Sequence, residues 1–189
     1  RRDKMKKPVE STLPLISPHI LAIEASANQL SIAVMINAEV VAARQHLAAH
    51  GHAVGIVPLS IATLKDAGVT FDAMTYVAAG CGPGSFTGIR VALAAAKGFC
   101  MAHKATGVGV SGLQALAHAA THVAPDVTTP CLVLAETRRG PLYAQIFDAT
   151  AQPMGVIFEA SIQQIPHLID TKIVGSDLRV LGADRVAVA

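Results

Sequence analysis

Apolar positions alternate with polar ones over the first third of the chain. His19-Ile-Leu-Ala-Ile-Glu-Ala-Ser26, Gln29-Leu-Ser-Ile-Ala-Val-Met-Ile36 and Glu39-Val-Val-Ala-Ala-Arg-Gln45 are short β-branched or apolar runs separated by turn residues such as Asn37. They predict three strands in an antiparallel meander. The period then changes. Val54, Val57, Ile61 and Leu64 recur at helical spacing over about 52–67, and Asp66-Ala-Gly68 ends the run, with Pro58 read as lying in the tolerant first turns. A strand at 75–81, a helix at 86–103, a short strand at 106–110 and a helix at 111–122 follow. The order β-β-β-α-β-α-β-α predicts a mixed five-stranded sheet flanked by helices.

Pro125 to Pro130 is polar and proline-bounded and marks the best boundary. Beyond it, strands at 131–136 and 142–147 form a hairpin that opens a second lobe. A helix is predicted at 161–169, weakened by Pro166, and a last strand at 172–174. The division that follows is a tail at 1–18, a first lobe at 19–124 and a partial second lobe at 130–189.

Composition narrows the picture modestly. The chain has 189 residues, 52% of them hydrophobic and 15% charged, with a net charge of +2. That length buries a real core, and that charge gives no strong pull on nucleic acid. The three cysteines are scattered without a CxxC pair, as suits a reducing cytoplasm. Prolines 8, 14 and 18 interrupt any signal-like apolar run, and no stretch is long enough to span a membrane.

The densest chemical signal is Gly82-Pro-Gly-Ser-Phe-Thr-Gly-Ile-Arg90, between a strand and a helix. Such a turn gathers backbone N–H groups at a helix N-terminus, which suits an anion; its glycines equally let another backbone come very close. The helix after it is apolar on two sides. One row is Ile89, Ala92, Leu93, Ala96 and Cys100; the other, of small residues, is Val91, Ala94, Ala95 and Gly98. A helix on a sheet needs one such stripe. The second is either covered within the chain or an interface with another protein, for which about 600–800 Å² per partner suffices.

The nine-residue block, with its preceding strand and Ala-rich helix, resembles the TsaB family, also called YeaZ. Ile20-Leu-Ala-Ile-Glu-Ala-Ser26, Gly51-His52-Ala53, Gly109-Val-Ser111, Leu113-Gln-Ala-Leu116, Arg138-Arg-Gly140 and Tyr143 agree in order and spacing, so the likeness covers about residues 19–148. The resemblance implies an actin-like, sugar-kinase-like fold (the ASKHA or ribonuclease H-like class). It implies a non-catalytic scaffold that pairs, through first-lobe helices, with the metal-bearing transferase TsaD to make threonylcarbamoyladenosine next to the anticodon of transfer RNA. A TsaE-like ATPase and transfer RNA, reached through the complex, are the further implied partners, in the cytoplasm.

The partner face then falls on Val54, Val57, Ile61, Val91, Ala94, Ala95 and Gly98, and a homodimer through the same face is open for the isolated chain. A nucleotide- or anion-binding region would fall on Glu24, Ser26, Gly82, Gly84, Ser85, Thr87, Gly88 and Arg90, with the Gly82–Gly88 turn serving mainly to position the helix. The region reads as degenerate, because Ala25-Ser-Ala-Asn28 replaces the glycine-rich turn of active relatives. No cofactor is expected beyond weak ATP or ADP binding. Arg138 and Arg139 are candidates for contact with transfer RNA or a subunit, or a solvated hairpin tip.

The transferase's two metal-binding histidines correspond to Gly112 and Leu116 here. His118 with His122, and His46 with His50 and His52, are the only histidine groupings, and neither brings a full ligand set. Val54 stands where relatives commonly carry Glu, Pro141 follows Arg138-Arg139-Gly140, and the usual C-terminal tail is lacking, so a trimmed second lobe is expected. Two other readings remain: an actin-like ATPase or kinase acting alone, and a metallopeptidase, for which no HExxH is present.

Overall fold

The computed structural model describes residues 17–27, 29–47, 52–123, 129–136, 140–165 and 179–182. Its first sheet is built from β1 (His19–Glu24), β2 (Gln29–Ile36), β3 (Glu39–Leu47), β4 (Tyr76–Gly80) and β5 (Thr106–Val110) in the order β3-β2-β1-β4-β5. The meander β1-β2-β3 is antiparallel, while β4 and β5 join parallel to β1. The mixed five-stranded sheet predicted from the sequence is therefore present.

Alternation along the strands sorts the residues to two faces. Leu21, Ile23, Leu30, Ile32, Val34, Val77 and Ala79 point to one side and are buried. Two helices cover that side, α1 (His52–Asp66) and α2 (Phe86–His103). Ile56 and Leu64 of α1 and Ala92 and Ala96 of α2 share one core with these strand residues. Burial of this stripe holds α1 together despite Pro58, which lies in the second turn of the helix, past the first-turn sites where proline is free of cost. Its missing N–H leaves the Val54 carbonyl without a helical partner, a defect that costs about 3 kcal/mol in an isolated helix.

The opposite face of the sheet is lined by small residues. The strand register sets Ala43, Ala33, Ala22 and Ala78 side by side across four strands, and all four are at least partly accessible.

The second sheet contains β6 (Cys131–Ala135), β7 (Leu142–Phe147), β8 (Phe158–Ala160) and β9 (Arg179–Gly182) in the order β8-β7-β6-β9. Strands β6 and β7 form the predicted hairpin. Strands β8 and β9 escaped the sequence reading. In place of the helix predicted at 161–169 the structure has a 3-10 turn, Ile162–Gln164, closed by a Ser161–Gln164 capping box; residues 166–178, including the strand predicted at 172–174, lie outside the described residues.

Helix α3 (Gly112–Val123) buries Leu113 and Ala117 with Cys131, Val133 and Phe147 of the second sheet. Although the sequence groups it with residues 19–124, its apolar side belongs to the second core. Asp148 closes the turn after β7 by accepting the Gln152 and Thr150 N–H groups, which hold its carboxyl below the usual range.

The burial pattern yields a stability contrast. Leu21→Ala, at a site with no exposure, should cost about 2–5 kcal/mol. Val57→Ala, on the open side of α1, should stay within about 0.5 kcal/mol. Urea denaturation of both variants checks the difference.

Candidate functional site

The glycine-rich turn is a joint between two backbones. The Ser85 N–H donates to the Ser26 carbonyl at 2.7 Å, pinning the start of α2 to the end of β1. A methyl group on Gly88 would collide with the Ala25 carbonyl, and one on Gly84 with the Ser26 backbone. Both glycines are there because the chains touch. Ser85 is the N-cap of α2, its hydroxyl accepting from the Gly88 N–H at 3.3 Å. The Gly82 carbonyl accepts from the Gly112 N–H at 2.8 Å, which ties the turn to the start of α3 as well. Two of the N–H groups that an anion would use are thus spent inside the chain.

Glu24, Ser26, Gly84, Ser85 and Gly88 are accordingly brought together, as the sequence reading grouped them. Glu24 folds back to accept the Ser26 N–H at 2.5 Å, and its carboxylate lies over Gly80, where any side chain would strike it. Thr87 and Arg90 are exposed, and the Arg90 guanidinium sits 5.2 Å from the Phe86 ring centre. Glu24 also lines a cavity of about 310 Å³ on the small-residue face of the first sheet, whose walls include Ala22, Ala33, Ala78 and, from α3, Gly112 and Ala115. None of residues 82–90 borders it. On the helix-covered side of β3, Arg44 forms an ion pair at 2.5 Å with Asp66 at the end of α1. The paired hydrogen bond raises the Arg44 pKa and lowers that of Asp66, each from its ordinary value.

The helix side gives a clearer surface. On α1, Val54 is 82% exposed, with Val57 and Ile61 about half exposed. On α2, Ala94 and Gly98 face outward, joined by Leu93 and Met101. The two stripes read from the sequence therefore need correcting. Leu93, assigned to the sheet side, faces out, whereas Val91 and Ala95, assigned to the open stripe, are half-buried against the first core. The core contacts of α2 are centred on Gly88, Ala92 and Ala96, so the outward direction runs through Ala94, the exposed Lys97 and Met101, with Gly98 on one flank and Leu93 on the other. Among the described residues a methyl group on Gly98 would meet nothing within 4 Å.

Past the end of this row, a second cavity of about 440 Å³ opens between Ile61, Leu64 and Lys65 of α1 and the turn through Gly68, Val69 and Phe71. Sequence reasoning missed it, since its wall comes from a turn with no periodicity.

The remaining candidates are placed as follows. Gly112 begins α3, and Leu116 packs against the second-sheet core. His118 and His122 are exposed, and the His122 ring lies 2.9 Å from the His118 carbonyl oxygen. His46 is exposed on β3; His50, the His52 side chain, Arg138 and Arg139 lie outside the described residues. Among the described residues no group of three or more His, Cys, Asp or Glu side chains is arranged to hold a metal, and no helix is long and apolar enough to cross a membrane.

A two-sheet protein with a glycine-jointed, half-uncovered helix pair is the class that these features define. The family model described as TsaD, tRNA N6-adenosine threonylcarbamoyltransferase, matches residues 36–176, and the chain belongs to that family. Among its relatives, the TsaB protein of Escherichia coli, named for tRNA threonylcarbamoyladenosine biosynthesis, is 31% identical over 124 residues, covering 66% of this chain and 52% of that protein. The TsaB protein of Buchnera aphidicola is 33% identical over 105 residues, covering 56% and 50%. In the solved structures, YeaZ from Pseudomonas aeruginosa superposes with a TM-score of 0.72 at 22% identity, over 88% of this chain and 75% of that one. The TsaB resemblance read from the glycine block is thereby shown, and the fold is that of YeaZ. The chain spans about half the length of the curated relatives it matches.

If the glycine joint is a steric necessity, Gly88→Ala should destabilise by about 1–3 kcal/mol, as overpacking does, against its favourable helix propensity. Ser85→Ala, which removes only the cap, should cost about 0.5–2 kcal/mol. Denaturant titration that found Gly88→Ala stabilising would remove the close contact from the account.

Proposed function

We propose that this chain is a non-catalytic scaffold subunit that pairs with a TsaD-like transferase in the threonylcarbamoyl modification of the adenosine next to the anticodon in transfer RNA. The relatives' names place them in that biosynthesis. The pairing surface is the outer side of α1 and α2: Val54, Val57 and Ile61 with Leu93, Ala94, Gly98 and Met101.

Gly98 is the observation that carries this reading. It sits in the interior of an eighteen-residue helix, where glycine costs about 0.5–1 kcal/mol relative to alanine. Among the described residues no neighbour requires it, because nothing lies within 4 Å of the place a Cβ would take. A glycine at such a position suits a second helix that approaches closely enough to touch the backbone. The half-exposed aliphatic side chains beside it supply the apolar area that such an approach would bury. Val91 and Ala95 support the face from beneath, being packed against the core. A TsaE-like ATPase and transfer RNA join through the complex in this scheme, and the cytoplasm is where it operates.

Two substitutions at one position separate folding from pairing. Gly98→Ala should raise the chain's own stability by about 0.5–1 kcal/mol while weakening its pairing with the transferase. Gly98→Arg should abolish pairing while leaving the circular dichroism spectrum of the isolated chain native-like and its thermal midpoint at or above that of the wild type. Copurification of Gly98→Arg with the transferase at the wild-type level would show that this face is not the one used.

A further inference from the structure

Along the crest of α2, Arg90, Ala94, Lys97 and Met101 follow at helical intervals and are all exposed, so they point the same way, out from the core. We propose that Arg90 and Lys97 make the helix face selective: they pair with carboxylates on a different chain and keep two copies of this chain from pairing through it. The inference rests on the pairing proposed above and deepens it by stating the charge that the partner carries.

The face has no free charge of the opposite sign to offer. Helix α2 contains no acidic residue, and α1 contains one, Asp66, at its last position. Asp66 is turned towards β3, where Arg44 holds it at 2.5 Å. Asp72, near the end of α2, is likewise held by the His103 ring at 2.6 Å. Among the described residues neither Arg90 nor Lys97 enters an ion pair, and the Arg90 guanidinium lies against the Phe86 ring. Lys65, exposed in the last turn of α1, adds a third cation.

This pattern disfavours a second copy as occupant. A two-fold pair brings a patch onto its own image, whichever way the axis points. Because the carboxylates nearby are already engaged, no choice of axis sets Arg90 or Lys97 against a free carboxylate of the copy. Like charges would instead meet as water is withdrawn from between them, which strengthens their repulsion. A partner that carries carboxylates over the same positions makes those contacts favourable and still buries the apolar side chains. Selectivity then comes from repelling the wrong partner as much as from holding the right one.

Phosphates of a nucleic acid would also satisfy these cations. The side chains among them favour a protein. Met101 is 76% exposed, and Val54, Val57 and Ile61 present further aliphatic area, which a sugar–phosphate backbone does not cover as an apolar face does. Arginine and methionine set among apolar side chains are typical of protein interfaces.

The test uses the full chain throughout. Sedimentation equilibrium at low salt should find the wild type monomeric. Calorimetry with a TsaD-like transferase should give at least a tenfold weaker Kd for Arg90→Glu/Lys97→Glu than for the wild type, by a margin that shrinks as salt is raised. Both side chains are exposed, so the circular dichroism spectrum should stay native-like; if the double variant fails to fold, Lys97→Glu alone decides, with a smaller loss and the same salt dependence. A wild-type dimer at low salt that Gly98→Arg dissociates would overturn the exclusion of a second copy. Transferase binding that Gly98→Arg destroys but that the charge variants leave within twofold would overturn the role of the two cations and keep the face. Transfer RNA bound by the wild type alone and released by the double variant would assign the cations to phosphate and overturn the proposal. Failure of the wild type to bind the transferase at all would overturn the pairing itself.

Discussion

The end of β1 and the start of α2 share a space that no side chain can enter. The Ala25 and Ser26 backbone lies directly against Gly84 and Gly88, and the Ser85 N–H is bonded to the Ser26 carbonyl. This contact sets where α2 begins and how it is turned about its axis. Once the axis is set, Ala92 and Ala96 must face the sheet, and the side chains a half-turn away must face out. The open surface of α2 is thus a consequence of a backbone contact at its first turn. A methyl group at either glycine would press on that relation before it pressed on anything else.

The same reasoning separates what the nine-residue block does from what its composition suggests. A glycine-rich turn at a helix N-terminus looks like an anion cradle. Here its glycines are explained by contact with β1, and two of its N–H groups already have partners within the chain. The cavity beside Glu24 opens on the other face of the sheet, and its wall at Gly80 and Gly112 adjoins this turn. The turn from Gly82 to Gly88 is thus a structural joint that positions the helix, and Glu24, bonded to the Ser26 N–H beside it, also lines the adjoining groove.

Much of the fold was legible because its signals are periodic. The alternation in residues 19–45 defined the meander, and the change to helical spacing at Val54 defined α1. The glycine block between apolar runs marked both the end of β4 and the start of α2. Strands β8 and β9 were not legible: Phe158–Ala160 and Arg179–Gly182 are too short to show a period, and they exist through pairing with β7 and β6. The sheet on which α3 packs was equally hidden, since the Leu113 and Ala117 stripe would suit either core. For the helix face, the sequence showed two stripes on α2 but not its rotation. Leu93 and Ala95 changed places as a result, whereas Gly98 and the α1 row did not. The cavity at the end of α1 depends on a turn at Gly68 to Phe71 that no local pattern announces.

The central claim is that the uncovered side of the α1–α2 pair is a docking surface for a sister chain. Hydrogen exchange followed by mass spectrometry, on the chain alone and saturated with a TsaD-like transferase, tests it most directly. The account predicts new protection concentrated in peptides covering residues 53–65 and 93–101, with the second-sheet strands unchanged. Protection confined to β6, β7 and α3, or none anywhere in a complex that demonstrably forms, would contradict it.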